Sequence, residues 1–327
     1  MNQDWHRAAL GGPAHDFFRL SLNESPFEPL PGVALAVADA VLKAGRSPDP
    51  LCTELSAAIA EQLSVGVENV LVGAGSSAVL QGLFLLSEGK VVHPWPSFEM
   101  YPLMAGAKAV PAAVDLEALR AAVDETTGLL VLCNPNNPTG TRWRTEELER
   151  VLSGLPDDVT VVLDEAYREF GDECADGVEL FRTDPRVCVV RTFSKAYGLF
   201  GLRVGYAIAA PELIGRLRMT LLPFLVSSAG QAAALAALKA EVEMRRSVAQ
   251  ICAERDAMRA SLLELGWEIP RSHASFLWLP GEGEPLVAFL AERGILVREV
   301  ASLGVRISVG TPEQNKSLIE AMREFPA

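Results

Sequence analysis

Six lysines occur in the 327-residue chain, and one of them, Lys195, stands at the end of an apolar run. It follows "VCVVRTF" (187–193), a short β-branched stretch that reads as a buried strand. A lysine at a strand end is either solvated in a loop or held in a site. Desolvation would lower its pKa and make the amine a usable nucleophile. Glycines at 198 and 201 and an arginine at 203 follow it.

Other strand-like runs end on polar groups too. "NVLVGAG" (69–75) leads into Ser76 and Ser77, where glycines admit a ligand to the backbone and a helix N-terminus attracts phosphate. "GLLVLC" (128–133) leads into "NPNNPTG", and "VTVVL" (159–163) into Asp164, with Tyr167 three residues on. In a parallel α/β sheet, ligands bind beyond the carboxyl ends of the strands. One edge would thus collect a phosphate cradle, an amide, a carboxylate, a phenol and an amine. Each group has a plainer reading, since Asn, Pro and Gly form turns and a strand-end carboxylate is often solvated. "GAGSSA" also fits a dinucleotide-binding turn. That reading expects an acid at the end of the next strand, where "KVVHP" has His93 and Pro94 instead.

The elements that must carry these groups alternate. Helices are expected at 53–63, 76–89, 115–123 and 144–152, and strands at 69–75, 90–94, 128–133, 158–167, 186–193 and 203–209. Continuous rather than alternating hydrophobicity in the strands indicates a mostly parallel sheet covered by helices on both faces. From about 211 to 265 an Ala-rich helical stretch is expected. After it come a strand (275–280), a helix (285–294), the strand-like "ILVRE" (295–299), a strand (304–310) and a terminal helix. This predicts an α/β large domain over 28–215, and a smaller α+β domain from 1–27 and 216–327. The net charge of −13 argues against a nucleic-acid partner. No apolar run reaches the roughly 18–20 residues of a membrane span. "MNQDWHRAALGGPAHD" carries no hydrophobic signal region, and five scattered cysteines suit a reducing, cytoplasmic setting. The four histidines do not cluster with them, so no metal site is expected.

"NPNNPTG", "DEAY", "SKAYGLFGLRVGY" and "GVRISVG", in this order and spacing, resemble the fold-type-I pyridoxal-phosphate enzymes. Within them the chain is similar to the histidinol-phosphate and aromatic amino acid aminotransferases, from "LNESPF" (22–27) nearly to the C-terminus. The resemblance implies pyridoxal 5'-phosphate as cofactor, bound covalently by Lys195. Asp164 would pair with the pyridine nitrogen, Tyr167 and Asn137 with the ring hydroxyl, and Phe98 would stack on the ring. The backbone of Ser76 and Ser77, with Ser194, Arg203 and Thr192, would hold the phosphate. Arg306 would clamp the substrate carboxylate through its planar fork. Arg298 would meet a second anionic group or be solvated. The implied reaction is ping-pong transfer of an amino group from histidinol phosphate or an aromatic amino acid to 2-oxoglutarate, in a homodimer. A decarboxylase of the threonine-phosphate type is the alternative. Two positions depart from the family pattern: Ser47 replaces a tyrosine that reaches the neighbouring subunit's phosphate, and Ser275 stands where an asparagine is common.

Overall fold

The computed structural model describes residues 17–326. Its strands in chain order are β1 (Phe18–Arg19), β2 (Val70–Gly73), β3 (Lys90–Pro94), β4 (Ala109–Ala112), β5 (Thr127–Cys133), β6 (Thr160–Asp164), β7 (Val187–Thr192), β8 (Gly205–Ile208), β9 (Phe276–Pro280), β10 (Ile295–Leu296), β11 (Arg298–Val300) and β12 (Gly304–Ser308). Seven of them form one sheet in the order β2-β8-β7-β6-β5-β3-β4. Only β8 runs against its neighbours. The carboxyl ends of β2, β5, β6 and β7 therefore share one edge. Reversal of β8 brings its first residue, Gly205, to the same edge, opposite Gly73 and Thr192.

Successive strand residues feed two separate cores, because side chains alternate across a sheet. Leu130, Leu132, Val161, Leu163 and Val189 pack on one face. Leu129, Val131, Val162, Cys188 and Val190 pack on the other. Burial of both faces is why the strands lack polar alternation. The same alternation sends Asp164 to the side of Val162 and Glu165 to the opposite side. There Glu165 accepts from Arg191 Nε and Gly177 N, both at 2.7 Å, as a buried ion pair. One carboxylate of the pair thus faces the cluster described below, and the other is structural.

Helix boundaries follow local chemistry. Asp115 caps Leu116–Ala121 by accepting from Ala118 N, and Thr311 with Gln314 forms a capping box on Pro312–Glu324. The helical stretch expected over 211–265 is three helices: Pro211–Arg218, Ser228–Lys239 and Glu241–Glu264. Residues 219–227 between the first two are not helical, and Ser227 caps the second by accepting from Gly230 N. The strand expected over 158–167 stops at Asp164, and "ILVRE" divides into β10 and β11. Short β4 and the helices Val33–Val41 and Gly177–Thr183 were not expected.

The second sheet, β11-β12-β9, is antiparallel, and β1 pairs in parallel with β10. Helix Glu241–Glu264 packs on β9 and on Pro312–Glu324. Helix Ser228–Lys239 instead packs on Val33–Val41 and Thr53–Leu63, beside the large sheet. We propose that the two-domain division expected at 215/216 falls closer to 240. Residues 1–16 of the expected small domain lie outside the described residues. Among the described residues no helix is long and apolar enough to cross a membrane.

Candidate functional site

At one corner of the shared edge, helix Ser76–Leu86 begins after Gly75, whose φ of 80° suits glycine and which offers no side-chain cap. The first-turn amides at Ser76 and Ser77 therefore have no intrahelical acceptor. Gly205 packs so closely on this turn that an added Cβ would collide with Ser76 N. A Cβ on Gly75 would likewise collide with the Arg203 guanidinium, which lies over the turn. Arg203 itself sits in the left-handed region at φ 54°, a strained position for a non-glycine residue. It donates to Phe200 O at 3.0 Å and reaches Ser194 Oγ at 3.4 Å. Thr192 Oγ1 accepts from Ser194 N at 3.1 Å and lies 3.0 Å from Ser194 Oγ. Thr192 thus orients Ser194. The sum is a positive, donor-rich turn of the kind that attracts a phosphate.

The middle of the edge is carboxylate and phenol. Asp164 is buried and accepts from Tyr101 Oη at 2.6 Å and from Ala166 N at 3.2 Å. Burial pushes its pKa up to about 6, against the pull of the Tyr101 bond. Tyr167 is also buried, and its oxygen accepts from Asn23 Nδ2 at 2.8 Å. Burial raises its pKa to about 12, although the Arg306 charge opposes the rise. Phe98 packs edge-on against Tyr101, with ring centroids 5.5 Å apart.

Lys195 reaches in from the end of β7. Its Nζ donates to Leu22 O and Asn23 O, both at 3.1 Å, and lies 4.5 Å from the Phe200 ring centroid. Its pKa falls to about 7, through desolvation first and then the charge of Arg306; Glu24 opposes this and Arg203 adds little. The amine is thus activated chiefly by burial and by the arginine of β12, rather than by the phosphate-side arginine. Arg306 is buried, donates from Nη1 to Asn137 Oδ1 and from Nη2 to Ser21 O, both at 2.6 Å, and leaves Nε without a partner. Desolvation lowers its pKa as well. A buried guanidinium with spare donors is a site made for an anion.

The expected residues therefore converge from both units of the fold. Arg298 is not solvated: its Nη2 donates to Glu99 Oε2 at 2.7 Å. Ser47 is exposed, and the buried Ser275 Oγ has no hydrogen-bond partner. Sequence reasoning passed over Asn23 and Tyr101. Asn23, at φ 53°, donates to Tyr167 and accepts from Ser308 Oγ, so it ties β12 to the end of β6. A left-handed asparagine leaves no periodic signal. Tyr101 stands three residues after Phe98, but only the fold sets it against Asp164.

The family described as aminotransferase class I and II matches residues 15–322. The chain belongs to this family. Among curated relatives, this aminotransferase is 46% identical over 331 residues to the aromatic amino acid aminotransferase of Thermobifida fusca, covering 96% of this chain and 92% of that one. It is 44% identical over 335 residues to that of Streptomyces coelicolor, covering 97% and 92%. Among solved structures it is similar to histidinol-phosphate aminotransferase from Sinorhizobium meliloti in complex with pyridoxal-5'-phosphate. The TM-score is 0.87 at 30% identity, covering 93% of this chain and 89% of that one. L-threonine-O-3-phosphate decarboxylase from Porphyromonas gingivalis shares the fold, with a TM-score of 0.83 at 24% identity, over 94% and 98% of the two chains. The aminotransferase depends on pyridoxal phosphate, and the relatives it resembles are named for aromatic amino acids or histidinol phosphate. The donor-rich turn at Gly75–Ser77, the buried acid at 164 and the low-pKa amine at 195 fit that cofactor's phosphate, ring nitrogen and aldehyde.

Proposed function

We propose that Lys195 is the covalent attachment point, and that Asp164, Tyr167, Asn137 and Phe98 hold the ring. The first-turn amides of Ser76 and Ser77, with Ser194 and Arg203, take the phosphate, and Thr192 positions Ser194. The observation that carries this is Lys195 itself, a strand-end amine whose pKa is brought to about 7 by burial and by the charge of Arg306. When bound, the cofactor supplies an aldehyde for the substrate amine and a ring that accepts electrons from the α-carbon. Asp164 stabilises positive charge at the ring nitrogen. Arg306 orients the substrate through its carboxylate, and the freed Lys195 Nζ takes the proton from the substrate α-carbon.

The donor we favour is an aromatic amino acid, with 2-oxoglutarate as acceptor in the second half of a ping-pong cycle. The curated relatives at 44–46% identity support this. Likeness to the decarboxylase is a likeness of fold alone, so decarboxylation is not favoured. A screen of half-reactions tests the reading. The pyridoxal form is mixed in turn with phenylalanine, tyrosine and histidinol phosphate while cofactor absorbance is followed. Carbon dioxide release without amino transfer would overturn it.

We further propose a homodimer that works in the cytoplasm. Exposed apolar side chains support the dimer: Met219 and Leu222 are 85% and 74% exposed, and Leu42, Leu51 and Phe224 also face outward. An apolar surface of this kind marks an interface. With Ser47 too short for a phenol's reach, anchoring of the phosphate across that interface would be weak.

A further inference from the structure

Beside the carboxylate-binding arginine lies a second charged pair, Arg298 and Glu99. Arg298 on β11 is the register partner of Arg306 on β12. Directly opposed residues of antiparallel strands project from the same face, so two guanidiniums leave this small sheet side by side. Like charges so placed repel, and Arg298 lowers the Arg306 pKa whereas Glu99 raises it. Glu99 comes from the large unit, 199 residues away in sequence and next to Phe98. It is therefore the counter-ion of Arg298, and after Tyr167 its charge also favours the charged form of Arg306. The Arg298 side chain is 11% exposed and that of Glu99 34%. Glu99 is exposed enough to swing toward solvent, whereas the nearly buried Arg298 then needs another anion in its place.

We propose that Glu99 determines side-chain specificity: closed on Arg298 it presents a neutral wall to an uncharged ring, and a substrate with a second anionic group must displace it. The proposal rests on the aminotransferase reading of the site and adds what that reading lacks, a group that discriminates between the two classes of substrate. An aromatic side chain beside the closed pair leaves no charge unpaired. A distal carboxylate or phosphate has to take Arg298 for itself while the displaced Glu99 carboxylate stays nearby and repels it. Repulsion of this kind is how a site rejects a ligand whose attractive contacts it already possesses. It follows that the present residues favour aromatic donors over phosphorylated ones, although an arginine suited to phosphate is in place.

Glu99→Gln keeps the size and removes the charge. Binding of two unreactive acids, glutarate and 3-phenylpropionate, is followed through cofactor absorbance in the holoenzyme. In the variant glutarate should bind about tenfold tighter, as for loss of a partly exposed competing charge, while 3-phenylpropionate is unchanged or weaker. Likewise kcat/KM for histidinol phosphate relative to phenylalanine should rise about tenfold. Arg298→Gln supplies an independent arm, in which glutarate alone should weaken. Equal shifts for both acids in either variant would show that the pair is only a latch between the two units, and would overturn the proposal. If wild-type enzyme bound neither acid, the substrate reading itself would fall and this inference with it. If wild-type bound both and Glu99→Gln left their ratio unchanged, the specificity role alone would fall.

Discussion

Arg306→Ala tests the placement of the substrate. The guanidinium has five N–H donors. Two are spent on Asn137 Oδ1 and Ser21 O, and Nε has no partner, so the fork retains free donors for a carboxylate. Removing a charged hydrogen-bonding group from a desolvated site costs about 2–5 kcal/mol. Values of kcat/KM for carboxylate substrates should therefore fall roughly 30- to 1000-fold or more. Arg306→Lys, which keeps the charge and loses the fork, should recover only part of this. A second readout follows from electrostatics. Arg306 lowers the Lys195 pKa. In Arg306→Ala the Lys195 pKa should rise, and the pH at which the free amine becomes competent should move up with it. Arg306→Lys should leave that pH nearly in place. The assay is steady-state turnover of phenylalanine with 2-oxoglutarate across pH, alongside thermal melting to show that the variants are folded. Intact turnover of carboxylate substrates in folded Arg306→Ala would refute the clamp, and an unmoved pH profile would refute the electrostatic coupling.

Apo-protein should capture pyridoxal phosphate with a rate that climbs through a pH of about 7 rather than the 10.5 of an ordinary lysine, because capture needs the neutral amine. Borohydride trapping and peptide mapping at each pH should place the adduct on Lys195. The same shift affects stability. The folded pKa lies below the unfolded one, so between about 7 and 10.5 the unfolded chain binds more protons, and apo-protein stability should rise with pH across that window. Lys195→Met should lose that rise in a denaturant titration. Tyr101→Phe removes the 2.6 Å bond that lowers the Asp164 pKa, so that pKa should rise further. With about 1.5–3 kcal/mol for a hydrogen bond to a charged group, kcat should drop by about one to two orders of magnitude, with a shifted acidic limb. Gly75→Ala adds a Cβ that pushes Arg203 aside at a backbone angle costing about 1–3 kcal/mol. Cofactor affinity measured by equilibrium dialysis should weaken about tenfold or more, while affinity for unphosphorylated pyridoxal changes much less.

Sequence by itself determined the sheet, because burial of both faces leaves a local mark. Runs such as "VTVVL" and "VCVV" have no polar alternation, and polar groups stand at their ends. Lys195, Asp164 and the Gly75–Ser77 turn were legible for that reason, since each is defined by its distance along the chain from the end of a strand. Reversal of β8 left no such mark, because a buried strand reads alike in either direction. Yet that reversal brings Arg203 to the cofactor edge. The break at Val297 was likewise masked by continuous hydrophobicity, whereas the one at 219–227 was marked by Pro223 and passed over. What only the tertiary structure decided was partnership. Asn23 meets Tyr167 across 144 residues, and Ser21 meets Arg306 across 285. Arg298 finds Glu99 across 199. Residue type states what such a group can donate or accept, but its pKa and its role depend on burial and on neighbours that only the packing of the two units supplies.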